Sequence, residues 1–476
     1  MEAPTIRKAA HSITLFILLF FLALLGRLSY ASNNNQTEPI YIRADGSIKP
    51  ENAPIKRYDN FYTLTRDINC SLVIERDNIV FDGQNHTIYG NIEFESKGVI
   101  LQERRNVTIK NLKITAFYYG IWLSCSQNNK LITNLFTNCT GRSILLSNSN
   151  CNIIHKNFMW ENKGRGIMLV NSHNNTLTQN KIVSGGCDAI IIHHSNYNFV
   201  AQNEITENNG RGIWLGYSNN TVVIGNKIFS NNYDGIKIYY SCNNIIFGNT
   251  VSNNNCNGIS LEVSNNNTIV NNNFVNNFKN VLLISSLENT WNYQYPLGGN
   301  YWSDIELEDN FRGPYQNFSG SDGIVDKAFY IDENNVDAYP LIGLLSEFNI
   351  CNNLTLRIVS NWNVDDINYI PSNGALKLSL SRPVENATFG FCQLRVTHVF
   401  ISPPYIIMVD GSPQAYVKLF ENETLSIIYF NFNGSTVEIS IIPEFHPTPL
   451  SMLIMILLPS STVIFKRLLR KMNIFH

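Results

Sequence analysis

The sequence has almost no net charge, because 35 Lys and Arg residues are balanced by 37 Asp and Glu residues and leave a formal charge of −2. A chain without a general basic field does not attract polyanions, and we therefore expect no nucleic-acid partner. It also has no Cys-X-X-Cys pair and no His/Cys spacing typical of a zinc site. The nine cysteines are odd in number, so they do not form a complete disulfide framework. Cys351 and Cys392 are the best pair on topology, with free thiols as the alternative.

Between about residues 106 and 286 no apolar run is long enough for a helix. This stretch instead repeats every 23 residues, and a fixed period of this size is the signature of a solenoid. Serine keeps the same step from Ser126 to Ser264. The asparagines that mark the period are Asn111, Asn134, Asn157, Asn180, Asn203, Asn226, Asn249 and Asn272.

Each repeat also carries two aliphatic residues, such as Ile213 and Leu215, at the spacing of a strand rather than of a helix. A unit of this length cannot bury an apolar face alone, so successive units must coil and stack at roughly 4.8 Å per rung. The sequence therefore predicts an all-β parallel β-helix with an Ile and Leu interior. We expect the asparagines at a turn, in the left-handed conformation, with their amides hydrogen-bonded from rung to rung. The small residue before each aliphatic pair, such as Gly212, is expected to allow a tight bend.

The segments outside the repeat differ in composition. Residues 13–25 are apolar, follow Arg7 and Lys8, and precede a small-X-small cleavage site, which favours a secretory signal over an uncleaved anchor. An apolar stretch near the C-terminus is followed by a basic cluster, as in a membrane helix with a cytoplasmic tail. The predicted organisation is 1–31 signal peptide, 32–60 lead-in, 61–287 parallel β-helix, 288–345 aromatic and acidic cap, 350–442 small β-sandwich, 449–465 transmembrane helix and 466–476 basic cytoplasmic tail.

Asn-X-Ser/Thr sites occur throughout the chain, including its non-repetitive C-terminal part. This distribution indicates an exported, glycosylated surface protein, although many such sites arise by chance in an Asn-rich chain. We therefore expect a cell-surface protein with a single C-terminal anchor and most of the chain outside the cytoplasm.

Three segments resemble the NosD-like family of right-handed β-helix proteins, especially its archaeal cell-surface members. They are the unit NYNFVAQNEITENNGRGIWLGYS, the segment GGNYWSD at 298–304 and the segment DAYPL at 337–341. The resemblance covers roughly residues 41 to 342 and implies the fold more strongly than an activity. It raises a copper-handling role, after the maturation factor that gives the family its name. The sequence Pro443-Glu444-Phe445 resembles the sorting signal recognised by an archaeosortase, which would remove the C-terminal helix.

The ligand types that copper prefers occur within three successive rungs, but in different columns of the repeat. These residues are His155, Met159, Met168, His173, His193 and His194. The copper alternative depends mainly on His193 and His194, and the column positions argue against one shared site. In the cap, residues 319–323 with Asp326 retain part of a calcium-loop pattern but lack the alternating oxygen ligands of a complete one. We therefore expect no metal cofactor.

The most coherent candidate site lies on the outer face of the strands that carry the aliphatic pairs, where residues between the inward positions must point outward. Aromatic rings and charges mixed on such a face are typical of sugar binding, because rings stack on pyranose faces and charges meet hydroxyls or uronates. Trp214 is expected to be largely in water and to dominate binding. The alternative is a surface salt-bridge ladder that contributes little. The candidate ligand-binding residues are Trp122, Asp188, Arg211, Trp214, Tyr217, Asp234, Lys237 and Tyr239.

A polysaccharide lyase or hydrolase is the remaining alternative. Asp188 and Asp234 are two rungs apart, roughly 9.6 Å, which is at the edge of the separation used by inverting glycosidases. Arg211 lies between them and would hold both carboxylates ionised. The paired-Asp and Gly-His-Gly pattern of pectinases and the Asp-Pro-His run of alginate epimerases are absent. Binding or envelope structure, with a glycan or envelope polymer as partner, is therefore favoured over catalysis.

Overall fold

A computed structural model describes residues 38–351, 354–371, 374–383, 389–399, 401–434 and 436–443. The predicted signal peptide, the transmembrane helix, the basic tail and all but the first residue of Pro443-Glu444-Phe445 lie outside these residues. Within the described ranges, no helix is long and apolar enough to cross a membrane.

The predicted parallel β-helix is confirmed, with about ten turns in the described part of the chain. Each turn contributes one short strand to each of three sheets, which we name A, B and C. Sheet A contains, in spatial order, Ile48–Lys49, Ile40–Ile42, Leu72–Ile74, Lys97–Gln102, Tyr119–Ser124, Arg142–Ser147, Arg165–Val170, Ile190–His193, Ile213–Gly216, Ile236–Tyr239, Asn257–Glu262 and Lys279–Ile284.

Sheets B and C run beside sheet A, and all three sheets are parallel except for one antiparallel pair at the N-terminal end of sheet A and one at that of sheet B. Sheet B contains Ile55–Tyr58, Phe61–Leu64, Val80–Asp82, Thr108–Lys110, Lys130–Ile132, Ile153–His155, Thr176–Thr178, Phe199–Ala201, Val222–Ile224, Ile245–Phe247 and Thr268–Val270. Sheet C contains Thr87–Tyr89, Lys113–Thr115, Leu135–Thr137, Phe158–Trp160, Lys181–Val183, Glu204–Thr206, Lys227–Phe229, Thr250–Ser252, Asn273–Val275 and Tyr301–Trp302.

The aliphatic columns form the interior, as the strand spacing predicts. Ile213 and Leu215 are fully buried, as are their counterparts in neighbouring rungs. Branched aliphatic side chains suit this position because they pack well on a pleated surface. The candidate site lies on sheet A. Its side chains occupy the outward positions of the strands, which alternate with the buried aliphatic positions.

The asparagine column forms a buried amide ladder at the corner between sheets B and C. The Nδ2 group of Asn180, for example, donates to Oδ1 of Asn203 at 3.0 Å. The expected left-handed backbone, however, belongs to the preceding residue of each rung, such as Gln179 with φ 54°. The corner therefore turns at one residue and directs the next one, asparagine, into the interior.

Asn111 is not part of this ladder, contrary to the prediction. Thr108 pairs with Lys130, so this rung has 22 residues instead of 23, and Leu112 takes the ladder position. The amide of Asn111 instead donates to Asp82 at 3.1 Å. At the other end the ladder continues, because Asn272 donates to Asn300 at 3.0 Å.

The small residue before the aliphatic pair lies at the expected bend in several rungs, as at Gly212 and Gly235, and it is also closely packed. Gly212 lies at the start of a sheet A strand without a positive φ. A Cβ atom there would lie 2.4 Å from Cγ2 of Ile228, across the interior, and 2.5 Å from the carbonyl oxygen of Gly235. The helix cross-section is too narrow at this position for a side chain.

Aromatic residues cover the C-terminal end of the interior. Trp291 and Trp302 are almost fully buried, and Trp302 stacks on Phe274 with ring centroids 4.6 Å apart. The Asp337 carboxylate accepts hydrogen bonds from the backbone of Asn300 at 2.8 Å and from Nε1 of Trp302 at 2.9 Å. Two short hairpins accompany this region: Phe311–Arg312 with Phe318–Ser319, and Phe329–Asp332 with Asn335–Asp337.

The described C-terminal residues form two antiparallel sheets. One contains Leu344–Cys351, Leu354–Ser360, Phe389–Thr397, Leu425–Asn433 and Val417–Glu421. The other contains Asn363–Ile370, Ala375–Ser381, Thr436–Pro443, Tyr405–Val409 and Ser412–Gln414. Residues from both sheets, among them Leu394 and Ile439, share one buried apolar cluster.

The first of these sheets contacts the end of the solenoid. Asn273 exchanges two hydrogen bonds of 2.9 Å with the backbone of Leu345, and Arg395 donates to the carbonyl oxygen of Leu297 at 2.8 Å. The suggested Cys351–Cys392 disulfide is wrong, because Cys392 is a free, buried thiol. Cys351 faces Leu354 whereas Cys392 faces Ser360, which separates the two cysteines by roughly 20 Å along the strand.

Candidate functional site

The outer face of sheet A carries an aromatic and charged surface in the rungs from residue 188 to residue 262. Trp214 projects outward between two buried aliphatic residues, and its rung neighbours in the same column are Ile191 and Lys237. We call the surface formed by Arg211, Trp214, Tyr217, Lys237 and Tyr239 the central patch. All five are among the residues predicted to bind ligand.

Trp214 is less exposed than the sequence suggests. The guanidinium carbon of Arg211 lies 5.2 Å from the centre of its ring, and its indole Nε1 atom is buried without a hydrogen-bond acceptor among the described residues. Gly216 makes room for the ring, since a Cβ atom at this position would lie 3.3 Å from Nε1. The expectation of an indole largely in water is therefore wrong, because the neighbouring cation and the backbone cover part of the ring.

Arg211 has two kinds of partner. Its Nη1 atom lies 3.5 Å from Oδ1 of Asp188, and that carboxylate also accepts the backbone N–H of Arg211 at 2.7 Å. The same guanidinium covers Trp214 and lies 6.0 Å from the ring centre of Tyr233. The salt bridge and the aromatic contact thus occur together, and they fix the cation at the edge of the central patch.

Asp234 does not face the ligand side of this surface. Its side chain is buried and accepts hydrogen bonds from Nδ2 of Asn257 at 2.6 Å and from Oγ of Ser260 at 2.9 Å. The carboxylate is directed along the solenoid axis toward the next rung, and not outward. Asp188 and Asp234 therefore do not form an exposed acid pair, and the two-carboxylate arrangement of a glycosidase is not assembled.

Three rings form a continuous stack beside the central patch, in the left-handed position that follows each sheet A strand. His194 and Tyr217 are stacked with centroids 4.8 Å apart, and Tyr217 and Tyr240 follow at 5.3 Å. We call His194, Tyr217 and Tyr240 the aromatic stack. The faces cover one another, so the ring edges and hydroxyl groups meet solvent. Tyr217 is 40% exposed and Tyr240 is 45% exposed.

Two further contacts order this surface. A hydrogen bond with Tyr217, together with partial burial, raises the pKa of the Tyr239 hydroxyl. Lys237 is held by an ion pair of 2.7 Å with Glu262. Glu262 was not among the predicted site residues, although it is one rung beyond Tyr239 in the same column.

Trp122, the remaining predicted residue, lies four rungs before Trp214 on the same face. The Nζ atom of Lys97 lies 4.7 Å from its ring centre. Lys97 was missed because the rung from Lys97 to Tyr119 has 22 residues, so a fixed step of 23 passes over it. Trp122 is thus separated from the central patch by roughly 19 Å.

The histidines do not fit a copper centre. His193 and His194 have centroids 4.4 Å apart, but His194 is stacked on Tyr217 and the Nδ1 atom of His173 accepts the backbone N–H of Asn196 at 3.0 Å. Partial burial, and then the neighbouring His194, lower the pKa of His193. Within the described ranges, no group of three or more His, Cys, Asp or Glu side chains is placed to hold a metal ion.

The partial calcium-loop pattern is not a metal site either. The Asp326 carboxylate accepts the backbone N–H groups of Asn310 and Phe311, both at 3.0 Å. Asp322 similarly accepts the backbone N–H of Gly313 at 3.1 Å, and burial raises the pKa of its carboxyl group. These oxygens organise the cap loops by binding backbone N–H donors.

Two family models match the chain. The model described as periplasmic copper-binding protein (NosD) matches residues 183–307, and the model of the right-handed β-helix region matches residues 71–215. Together with the solenoid, they support the NosD-like family of parallel β-helix proteins. No curated protein matches the chain.

Several solved structures are similar in fold. The periplasmic alginate epimerase AlgG is 16% identical, with 59% of this chain and 75% of that chain covered and a TM-score of 0.35. The A-module of the Azotobacter vinelandii mannuronan C-5 epimerase AlgE6 is 13% identical, with coverages of 48% and 88% and a TM-score of 0.36. The enzymatically active domain of bacteriophage CBA120 tailspike protein 2 is 9% identical, with coverages of 79% and 74% and a TM-score of 0.43.

Proposed function

We propose that this protein acts outside the cytoplasm and binds a glycan on the outer face of sheet A, at the central patch and the aromatic stack. The observation that carries this proposal is the continuous row of rings through His194, Tyr217 and Tyr240, with Trp214 beside it. Aromatic side chains offer apolar surface to the CH groups of a sugar, and tyrosine adds a hydroxyl group that can bind sugar hydroxyls. The NosD family model supports an envelope location, since its description is of a periplasmic protein.

The geometry favours a polymer running along the solenoid axis. Successive rungs present one ring each at roughly 4.8 Å intervals, so a chain lying along the axis meets a ring at every rung. Because the inner faces of the stack are occupied by neighbouring rings, the ligand contacts ring edges, the tyrosine hydroxyls and the exposed part of Trp214. Arg211 and Lys237 flank this row and can donate hydrogen bonds to sugar oxygens.

The experiment compares two exposed tyrosines that share a left-handed backbone. Tyr217 has φ 51° and belongs to the aromatic stack. Tyr197 has φ 58° and lies outside the stack, in the turn between Ile190–His193 of sheet A and Phe199–Ala201 of sheet B. After a ligand is found with a glycan array, affinities are measured by calorimetry. We expect Tyr217→Ala and Trp214→Ala each to weaken binding by about 1 to 2 kcal/mol, and Tyr197→Ala to leave it unchanged. Equal affinity in all three variants would exclude this surface as the binding site.

The salt-bridge alternative makes a different set of predictions. If Arg211 only pairs with Asp188, Arg211→Ala lowers stability slightly, in line with a partly exposed ion pair, and no glycan binds to either form. Copper handling, the second function implied by the family, has only the position of His193 and His194 within the matched region in its favour. Their side chains do not form a ligand set, so no copper step is proposed.

We also propose that residues 1–31 direct export and that the C-terminal segment tethers the protein to the cell surface. In this proposal the two C-terminal sheets form a β-sandwich that holds the solenoid away from the membrane. Their hydrogen bonds to the solenoid end, at Asn273 and Arg395, support a fixed orientation of the two parts.

A further inference from the structure

Three cations occupy one column on the outer face of sheet A, on the N-terminal side of the central patch. Lys97 pairs in register with Tyr119, Tyr119 with Arg142, and Arg142 with Arg165. Lys97 and Arg165 are thus three rungs apart, roughly 14 Å along the axis. We call Lys97, Arg142 and Arg165, together with Tyr119 and Trp122, the basic patch.

The three cations lack the partners that the other charges of this face possess. Arg211 pairs with Asp188 and Lys237 pairs with Glu262. Among the described residues, no carboxylate lies within 4.0 Å of the side-chain nitrogens of Lys97, Arg142 or Arg165. All three are only partly exposed, and a partly buried cation loses hydration that, among the described residues, no carboxylate replaces.

The hydrogen bonds of the two guanidinium groups are incomplete. The Nε atom of Arg165 is buried and has no hydrogen-bond partner among the described residues. The Nε group of Arg142 donates to the sulfur of Met168 at 3.4 Å, and its Nη1 atom makes only long contacts, at 3.4 Å to the hydroxyl of Tyr118 and 3.5 Å to that of Tyr119. A guanidinium group matches two oxygens of one carboxylate or sulfate far better than it matches these contacts.

Aromatic rings hold the cations in place on this face. The Nζ atom of Lys97 lies 4.7 Å from the ring centre of Trp122 and 5.8 Å from that of Tyr119. The guanidinium carbon of Arg142 lies 5.6 Å from the ring centre of Tyr119. Such contacts orient a cation without neutralising it. Burial raises the pKa of the Tyr119 hydroxyl, and the exposed acid Glu95 adds to this effect.

We propose that the basic patch binds the acidic groups of an anionic polysaccharide whose chain continues across the central patch. This inference rests on the proposed glycan binding and narrows it to chains that carry carboxylate or sulfate groups. Arg165 and Arg211 are two rungs apart, roughly 9.6 Å, so one oligosaccharide reaches both surfaces. The basic patch selects for charge, while the rings of the central patch contact the sugar faces.

The experiment measures the affinity of the purified protein for two matched pairs of probes. The first pair is a polygalacturonate oligosaccharide and its carboxyl-reduced counterpart, and the second is dextran sulfate and unmodified dextran. We expect the parent protein to bind at least one acidic probe about tenfold more tightly than its neutral counterpart, since a charge-assisted hydrogen bond is stronger than a neutral one. Preference for one acidic probe distinguishes carboxylate from sulfate as the natural group.

Variants of Arg142 and Arg165 then test whether the basic patch causes the preference for acidic over neutral probes. Arg142→Gln with Arg165→Gln is expected to abolish the preference for the acidic probe and to leave the neutral probe unchanged. Lys130→Gln, which removes an exposed cation on sheet B, is the matched control and should behave as the parent. Arg142→Lys with Arg165→Lys keeps the charge and should retain part of the preference, which separates loss of charge from loss of fold.

Each outcome decides between the two proposals. If the parent binds acidic and neutral probes equally, the basic patch does not select anions, while glycan binding at the central patch stands. If the Arg142→Gln and Arg165→Gln protein keeps the full preference, the inference is likewise overturned. If no probe and no array glycan binds the parent, both proposals are wrong.

Discussion

Replacement of Asn180 by leucine tests how much the buried amide ladder stabilises the solenoid. The Oδ1 atom of Asn180 accepts two hydrogen bonds of 3.0 Å from Asn157, one from the backbone N–H and one from Nδ2. Its own Nδ2 group donates to Oδ1 of Asn203 at 3.0 Å and to the carbonyl oxygen of Ile154 at 2.9 Å. Leucine has a similar volume but provides none of these groups.

The magnitude follows from the groups that lose a partner. The backbone N–H of Asn157 is left buried without its acceptor, whereas its Nδ2 group still donates to the carbonyl oxygens of Leu131 and His155. A buried donor without an acceptor costs about 1 to 3 kcal/mol. Asn180→Leu should therefore lower the free energy of unfolding by about 1 to 3 kcal/mol, a substantial part of the total stability of an ordinary domain. Asn209→Leu is the matched control, because the exposed Asn232 donates to Asn209 at 3.0 Å and water can replace that bond. We expect the control to change stability by less than about 0.5 kcal/mol.

Urea unfolding followed by circular dichroism gives the stability of the parent and both variants. Amide hydrogen exchange at Asn157 adds a local measurement, because this N–H loses its acceptor and should exchange faster only in Asn180→Leu. Equal stability of Asn180→Leu and Asn209→Leu, with unchanged exchange at Asn157, would refute the conclusion that the ladder stabilises the solenoid through its buried amides.

Two further predictions concern the interior and the cap. Ile190→Asp places a carboxylate in a fully buried column and should lower stability by at least about 4 kcal/mol, so an unchanged melting curve would contradict the inward assignment. Burial raises the pKa of Asp337 to about 7, although Asn300 and Trp302 donate hydrogen bonds to it. Between about pH 4 and pH 7 the unfolded chain has then lost this proton while the folded chain keeps it, so stability should fall as pH rises through this window. Asp337→Asn should flatten that slope in urea titrations, and an unchanged slope would show that another group titrates.

Much of the solenoid could be predicted from the sequence because its contacts repeat. Ile213 and Leu215 recur at a strand spacing and at one fixed step, which indicates an interior column before any coordinates are known. Counting in steps of 23 assigned the wrong column where a rung is one residue shorter, as at Asn111 and Lys97. A column defined by counting cannot detect a shortened turn, since the register depends on hydrogen bonds between rungs.

The candidate site was predicted less completely. The outward position of Trp214 followed from strand alternation, but its partial cover by Arg211 did not. Asp234 was placed in the correct column, yet its carboxylate turns along the axis to Asn257 and Ser260. Alternation states which side of the sheet a residue occupies and leaves the direction of its side chain on that side undetermined.

The sequence by itself determined the parallel β-helix, the inward aliphatic columns and the hydrogen-bonded asparagine ladder, because each depends on the same residue returning at the same place in every turn. The tertiary structure alone decided which outward residues meet. The pairing of Arg211 with Asp188 and that of Lys237 with Glu262 each depend on residues from different rungs. The same is true of the three unpaired cations of the basic patch. These contacts form across the stack between residues more than twenty positions apart, where turn length and side-chain rotation set the distances.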